Sequence, residues 1–373
     1  MKNVYVEDWN WVKERFTAWW NYDPIGYPLL RLIAPGKPAE NLATVEDYLD
    51  YEDKYTNAKK ITENYRNYCK SHWFLGDAFP ALSLDLGPSS MALYLGSEPL
   101  FKEDTVWFTE CIKDWDSFPG IRFDENNRWW RKHLEMIKTA HKLADNEFLV
   151  NIPDIIENID IISAMRGPQE LCYDLMDRPE VVKDAVNKVD ELYFKYYDAM
   201  YDIVKEDDGS SAFTAFMIWG HGKTAKVQCD FCALMSPDQF REIVQPNLRR
   251  QCQQLNNSIY HLDGPDSVRH LPALMEIKEL NSLQWTCGAG KPDGGNECWY
   301  PIYDQVREAG KSLWVHFADG SDKDWVESSI RLIKRYGPDC FYFIFPDFPD
   351  KNSADEALDV IRRASSHLSQ KSP

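Results

Sequence analysis

The stretch SPDQFREIVQPNLRRQCQQLNNSIYHLDG (236–264) holds a helix and the strand that follows it. Ser236 is a good N-cap residue, and Pro237 suits the first helical position, where its missing N–H costs nothing. The pattern predicts a helix from Ser236 to Asn256. SIYHLDG (258–264) is then short, apolar at its start and closed by Asp263-Gly264, as expected of a strand that ends in a turn.

The same alternation recurs along the chain. Short apolar runs appear at PLLRLIAP (28–35), ALSLDLG (81–87), FLVNIPDI (148–155), FTAFMIWG (213–220), SLQWTCG (282–288), SLWVHFADG (312–320) and CFYFIFPD (340–347). Between them lie helix candidates at Pro179–Val204, Tyr300–Ala309, Trp325–Tyr336 and Ser353–Ser366. Strand–helix alternation predicts an α/β fold with a mainly parallel sheet, and eight runs fit a single (β/α)8 TIM-type barrel. A doubly wound open sheet is the alternative, weakened because no GxGxxG follows a strand. Residues 1–75 read as a mainly helical N-terminal extension, with helices over Glu7–Trp20 and Thr44–Tyr68, the second capped by Thr44.

Composition narrows the function. The chain has 373 residues, 44% of them hydrophobic, and a formal charge of -18. That charge repels phosphate backbones and argues against nucleic acid. The opening MKNVYVEDWNWVKERF has no apolar core of a signal peptide, and no apolar run reaches membrane-spanning length. Nine scattered cysteines favour a reducing compartment, and a cytoplasmic location is expected. Cys229-x-x-Cys232 lacks a second ligand pair, so structural cysteines are expected. Fourteen tryptophans, several paired (Trp9/Trp11, Trp19/Trp20, Trp129/Trp130), read mainly as packing, with a stacking surface as the alternative.

Nearly every run ends in a polar group: Asp85, Asn151 and Asp154, His221, His261 and Asp263, Trp285 and Cys287, His316 and Asp319, and Asp347. In a barrel these ends converge on one face, where active sites form. His261 and Asp263 are two apart and share a strand face. They suit an acid/base pair or an imidazole plus carboxylate on a divalent metal; an Asp-Gly-Pro turn beside a buried histidine is equally compatible.

LMSPDQFREIVQPNLRR (234–250) followed by SIYHLDG resembles the core of the uroporphyrinogen decarboxylase superfamily, and ALSLDLG is similar to the strand carrying that family's active-site aspartate, here Asp85. DLGPSSMALYLGSEP (85–99) and IYHLDGPDSVRHL (259–271) look like sequences of corrinoid-linked methyltransferases. The resemblance implies a barrel enzyme, a small methylated substrate, a corrinoid on a separate protein, and a homodimer. It departs from the family in two places. True decarboxylases grip a polycarboxylate with an arginine-rich motif, whereas this chain offers Arg31 alone there. The methyltransferases hold zinc with a His-x-Cys pair and a later cysteine, positions occupied here by Asp263 and Asp347. Without thiolates, His261, Asp263 and Asp347 would hold a harder ion, or zinc more weakly.

The expected catalytic set is therefore His261, Asp263, Asp85 and His316. Arg31, Trp219, Trp285 and Asp154 are expected at the substrate. A lyase or hydrolase acting on a sugar-like ring through paired carboxylates is the second reading, and a non-catalytic binding protein the third.

Overall fold

The computed structural model describes residues 3–369. Its strands are β1 Leu29–Pro35, β2 His72–Gly76, β3 Ala81–Leu82, β4 Pro99–Phe101, β5 Val106–Phe108, β6 Leu149–Val150, β7 Ser211–Phe213, β8 Ile218–Gly220, β9 Thr224–Gln228, β10 Asn257–Asp263, β11 Ser282–Thr286, β12 Ser312–His316 and β13 Phe341–Ile344. Seven of them form one sheet in the order β2-β1-β13-β12-β11-β10-β9, and every pairing in it is parallel except β1 with β2. β3 and β6 form a separate parallel pair, extended by a bridge from Ile152 to Phe213. Helices separate most successive parallel strands. This is the mostly parallel, helix-covered arrangement of a TIM-barrel-like fold. Among the described residues no ladder joins β1 to β3 or β6 to β9, so the pairing does not close an eight-stranded ring.

Side chains satisfy the edge of β9 that β10 leaves free. Gln228 N donates to Glu157 Oε1 at 2.5 Å, and Gln228 O accepts from Asn158 Nδ2 at 2.6 Å. Asp160 then accepts from Asp230 N and Phe231 N at 2.8 and 2.9 Å. A buried strand edge needs such partners.

The helix after Ser236 forms as expected, with a full capping box between Ser236 and Gln239. It runs as Pro237–Gln239, a π-helical segment Phe240–Val244, and Gln245–Gln254. Pro246 has no N–H to give to an α-helical ladder, which accounts for the wider turn ahead of it.

Three expectations change. The mainly helical reading of residues 1–75 holds for Trp9–Trp20, Tyr51–Thr56 and Ala58–Ser71, but β1 and β2 lie there too. Residues 44–50 are not helical; Asp50 and Asn57, not Thr44, cap the helices that follow. FTAFMIWG is not one strand: β7 and β8 are an antiparallel hairpin, turned at Ala215–Met217.

The first helix, α1 (Trp9–Trp20), lies across the N-terminal ends of the strands. The chain after it donates Ile25 N to Asp339, just ahead of β13, and Tyr22 Oη to the carbonyl of Asn281, just ahead of β11. Trp9, Trp19 and Trp20 are buried, as are Trp129 and Trp130, so the paired tryptophans are mostly core packing. One ion pair ties this layer to the sheet. Arg15 Nε donates to buried Asp77 at 2.6 Å, and its other nitrogens reach the carbonyls of Ile25, Tyr27 and Pro28. Asp77 also accepts from Leu30 N of β1 at 2.8 Å. Arg15→Ala strands a buried carboxylate and is expected to cost about 3–5 kcal/mol. Urea unfolding of the variant checks this; a loss under about 1 kcal/mol, the range of an exposed pair, would contradict it.

Candidate active site

Register builds the site. Lys226 pairs with Ile259, Gln228 with His261, His261 with Gln284 and Gln284 with Trp314. One step further along, Asp263 pairs with Thr286, while His316 and Arg31 both pair with Ile344. Because side chains alternate, Lys226 and Gln228, His261 and Asp263, Gln284 and Thr286, and Trp314 and His316 project from one face in successive layers.

Asp230, His261 and Asp263 form a cluster whose ligand atoms all lie within 4.8 Å of one another. His261 Nε2 is 3.8 Å from Asp230 Oδ1. Its Nδ1 is 2.5 Å from Gln284 Oε1, and Gln284 Nε2 donates to Thr286 Oγ1 at 2.8 Å. With the amide nitrogen committed to Thr286, Oε1 faces the imidazole. Nδ1 therefore carries the hydrogen, and the Nε2 lone pair is left toward the carboxylates. Burial, together with the nearby Lys226 charge, pushes the His261 pKa down, which favours the neutral ring. Desolvation of the Asp230 carboxyl, and then the like charges of Asp160 and Asp263, push its pKa upward, although 48% of its side chain still reaches solvent.

Beside this cluster, Lys226 is almost wholly buried, with Nζ 2.8 Å from Asp154 Oδ2 and hydrogen-bonded to Gln228. Glu157, fully buried, has its carboxyl pushed well above the usual range by burial. Asp85, after β3, is raised to about 7 by burial and then by Asp154. Its Oδ1 accepts from Gly87 N at 2.8 Å.

A cavity of about 790 Å³ opens next to the cluster. Arg31, Phe216, Asp263, Gln284, Trp314 and His316 contribute to its wall, with the loop Cys287–Gly294. Among the described residues, the Arg31 guanidinium makes no ion pair, and its buried Nε has no partner. His316 stacks on Trp314, and burial lowers its pKa.

The structure thus brings His261 and Asp263 together, and Arg31 and His316 to the same cavity. Asp85 and Asp154 adjoin Lys226. Asp347 does not join the donor cluster: it is exposed beyond β13, where Phe348 N bonds to Ile33 O of β1, and Asp230 takes the third place. Trp219 is not at the cavity. It is fully buried against α1, 5.7 Å from Trp9, with Nε1 on Glu206. Trp285 borders the cavity but packs its ring on Trp299 at 5.1 Å. The inward tryptophan is Trp314. Cys229 and Cys232 are buried, and all nine cysteines are free.

TAKVQCD (224–230), outside the runs read as strands, supplies Lys226, Gln228 and Asp230. Its signal was legible: Ala225, Val227 and Cys229 alternate with these three polar residues.

No protein-family model matches the chain, and no curated protein matches it. A solved structure does share its fold. That protein is a methyltransferase from Methanosarcina mazei. The superposition has a TM-score of 0.60 and covers 94% of this chain and 98% of the other, at 14% identity. At this identity the likeness shows the fold alone. No helix among the described residues is long and apolar enough to cross a membrane.

Asp85 gives a pH dependence. Its folded pKa, about 7, lies above the ordinary value near 4. The folded state therefore holds the proton that the unfolded chain releases, so stability falls as pH rises between these values and the penalty is complete above 7. Asp85→Asn is expected to remove about 1–2 kcal/mol of that fall. Thermal unfolding from pH 4 to 8 reads it; an identical fall in the variant would contradict the assignment.

Proposed function

We propose that this chain is a metal-assisted methyltransferase of the uroporphyrinogen decarboxylase superfamily. It would act on a small methylated substrate and pass the methyl group to a corrinoid held by a separate protein. The observation that carries the reading is the donor set Asp230, His261 and Asp263 beside the cavity. The fold shared with a methyltransferase and the sequence resemblance support it.

The residues fit a divalent ion. His261 is neutral, its far nitrogen is anchored by Gln284, and two carboxylates face the free lone pair, the usual way a ligating histidine is held. Two carboxylates, one imidazole and no thiolate suit manganese, magnesium or weakly held zinc rather than a thiolate-zinc centre. An ion there would supply Lewis-acid polarisation of the heteroatom that bears the methyl group. The chain's own groups do the rest. Arg31, lacking a carboxylate partner, anchors an anionic part of the substrate. Trp314 and Phe216 give the cavity an aromatic wall, and His316, stacked on Trp314, adds a polar ring at its exposed side. Asp85, protonated near neutrality, donates a hydrogen bond that orients the substrate, and the Lys226–Asp154 pair holds the neighbouring charge in place.

One observation favours the second reading, a lyase or hydrolase on a sugar-like ring. Asp85, raised to about 7, still holds its proton about half the time at neutrality while Asp154 is ion-paired to Lys226, and carboxyls in such different settings can serve as acid and base.

Elemental mass spectrometry of the purified protein separates the two. Near one equivalent of a divalent metal is expected in wild type, with at least about tenfold less in His261→Ala and Asp263→Ala. A wild type that binds no divalent ion even when it is added would overturn the metal-assisted reading and favour the carboxylate one.

A further inference from the structure

The turn of the β7–β8 hairpin reaches the cavity, and its backbone is strained. Phe216 and Met217 both adopt left-handed conformations, with φ of 64° and 50°. Glycine or asparagine takes up this conformation far more readily, yet neither stands here. The surroundings impose it. Trp314 Nε1 donates to the carbonyl of Phe216 at 3.0 Å, and Tyr342 Oη to that of Met217 at 3.0 Å. Thr214 holds the base of the turn through Ile152 O, by its N at 3.0 Å and its Oγ1 at 3.1 Å. Two aromatic residues of β12 and β13 thus commit their polar groups to this turn.

The consequence is local. The Phe216 ring lies 5.4 Å from the His261 imidazole and 5.0 Å from Trp314. Gln284 fixes His261 at Nδ1, in the plane of the ring. Phe216 adds a contact from the side, and the two together define the imidazole's orientation. Strained residues that the surrounding structure holds in place cluster at functional sites.

We propose that Phe216 is a positioning residue: the strained turn presses its ring on His261 and so aims Nε2 at the space between Asp230 and Asp263. This inference rests on reading those three residues as a metal site. It needs no substrate for its test. Phe216→Gly and Phe216→Asn keep the left-handed backbone and remove the ring, whereas Phe216→Tyr keeps the ring. Mn2+ affinity by calorimetry and the melting temperature of the metal-free protein are measured on each.

In the glycine and asparagine variants Mn2+ affinity is expected to fall about tenfold or more, while the melting temperature stays within about 3 °C of wild type because strain relief offsets lost packing. The tyrosine variant should regain wild-type affinity. Wild-type Mn2+ affinity in both ring-less variants would overturn the proposal, as would melting temperature and affinity falling together, the mark of a purely structural turn. A wild type that binds neither Mn2+ nor Co2+ overturns the metal-site reading itself, a failure distinct from the first two.

Discussion

Side chains on a strand alternate between its faces, and parallel strands keep that alternation in phase only while their register is held. From β9 through β10, β11, β12 and β13 to β1 the register is continuous. A one-residue slip of β10 would turn His261 and Asp263 away from Gln284 and Asp230 and bring apolar Tyr260 and Leu262 inward. At the far edge of β9 a ladder no longer enforces register. There Glu157, Asn158 and Asp160 grip the backbone of Gln228, Asp230 and Phe231 instead. That grip also sets where Asp230 sits, so the fold's unpaired edge and the candidate site are one problem.

Charge is the second constraint. Asp85, Asp154, Glu157 and Asp230 all act electrostatically on, or are acted on by, a single buried lysine, Lys226. One ammonium does not neutralise so many carboxyls, and burying like charges is costly. Burial first, and neighbouring carboxylates second, raise the carboxyl pKa values at Asp85, Glu157 and Asp230. A divalent cation among Asp230, His261 and Asp263 would offset the like-charge part of this at Asp230. The chain's excess of acidic residues is thus not only a surface property; part of it is gathered where a cation can be held.

Much of this was legible in the sequence. Apolar runs marked seven of the parallel strands, because their buried stretches are continuous, and polar strand ends marked His261, Asp263, Asp85 and His316. β9 escaped notice because the residues it turns toward the cluster are Lys226 and Gln228, which read as a solvated surface until their burial is seen. With it went Asp230, for which family register offered Asp347 instead. FTAFMIWG (213–220) read as one strand because its turn contains no glycine or proline; Phe216 and Met217 turn under tertiary hydrogen bonds that no local pattern records. Trp314 takes the cavity-wall place expected of Trp219, for a similar reason. Both are tryptophans on strands, and only the packing of α1 assigns one to the core.

The most direct test of the central claim is anomalous diffraction from crystals grown with Mn2+. The account calls for one strong peak within coordinating distance of His261 Nε2, Asp230 and Asp263, about 2.0–2.3 Å from each ligand atom. A peak elsewhere, or an empty site with Asp230 hydrogen-bonded to His261, would contradict it.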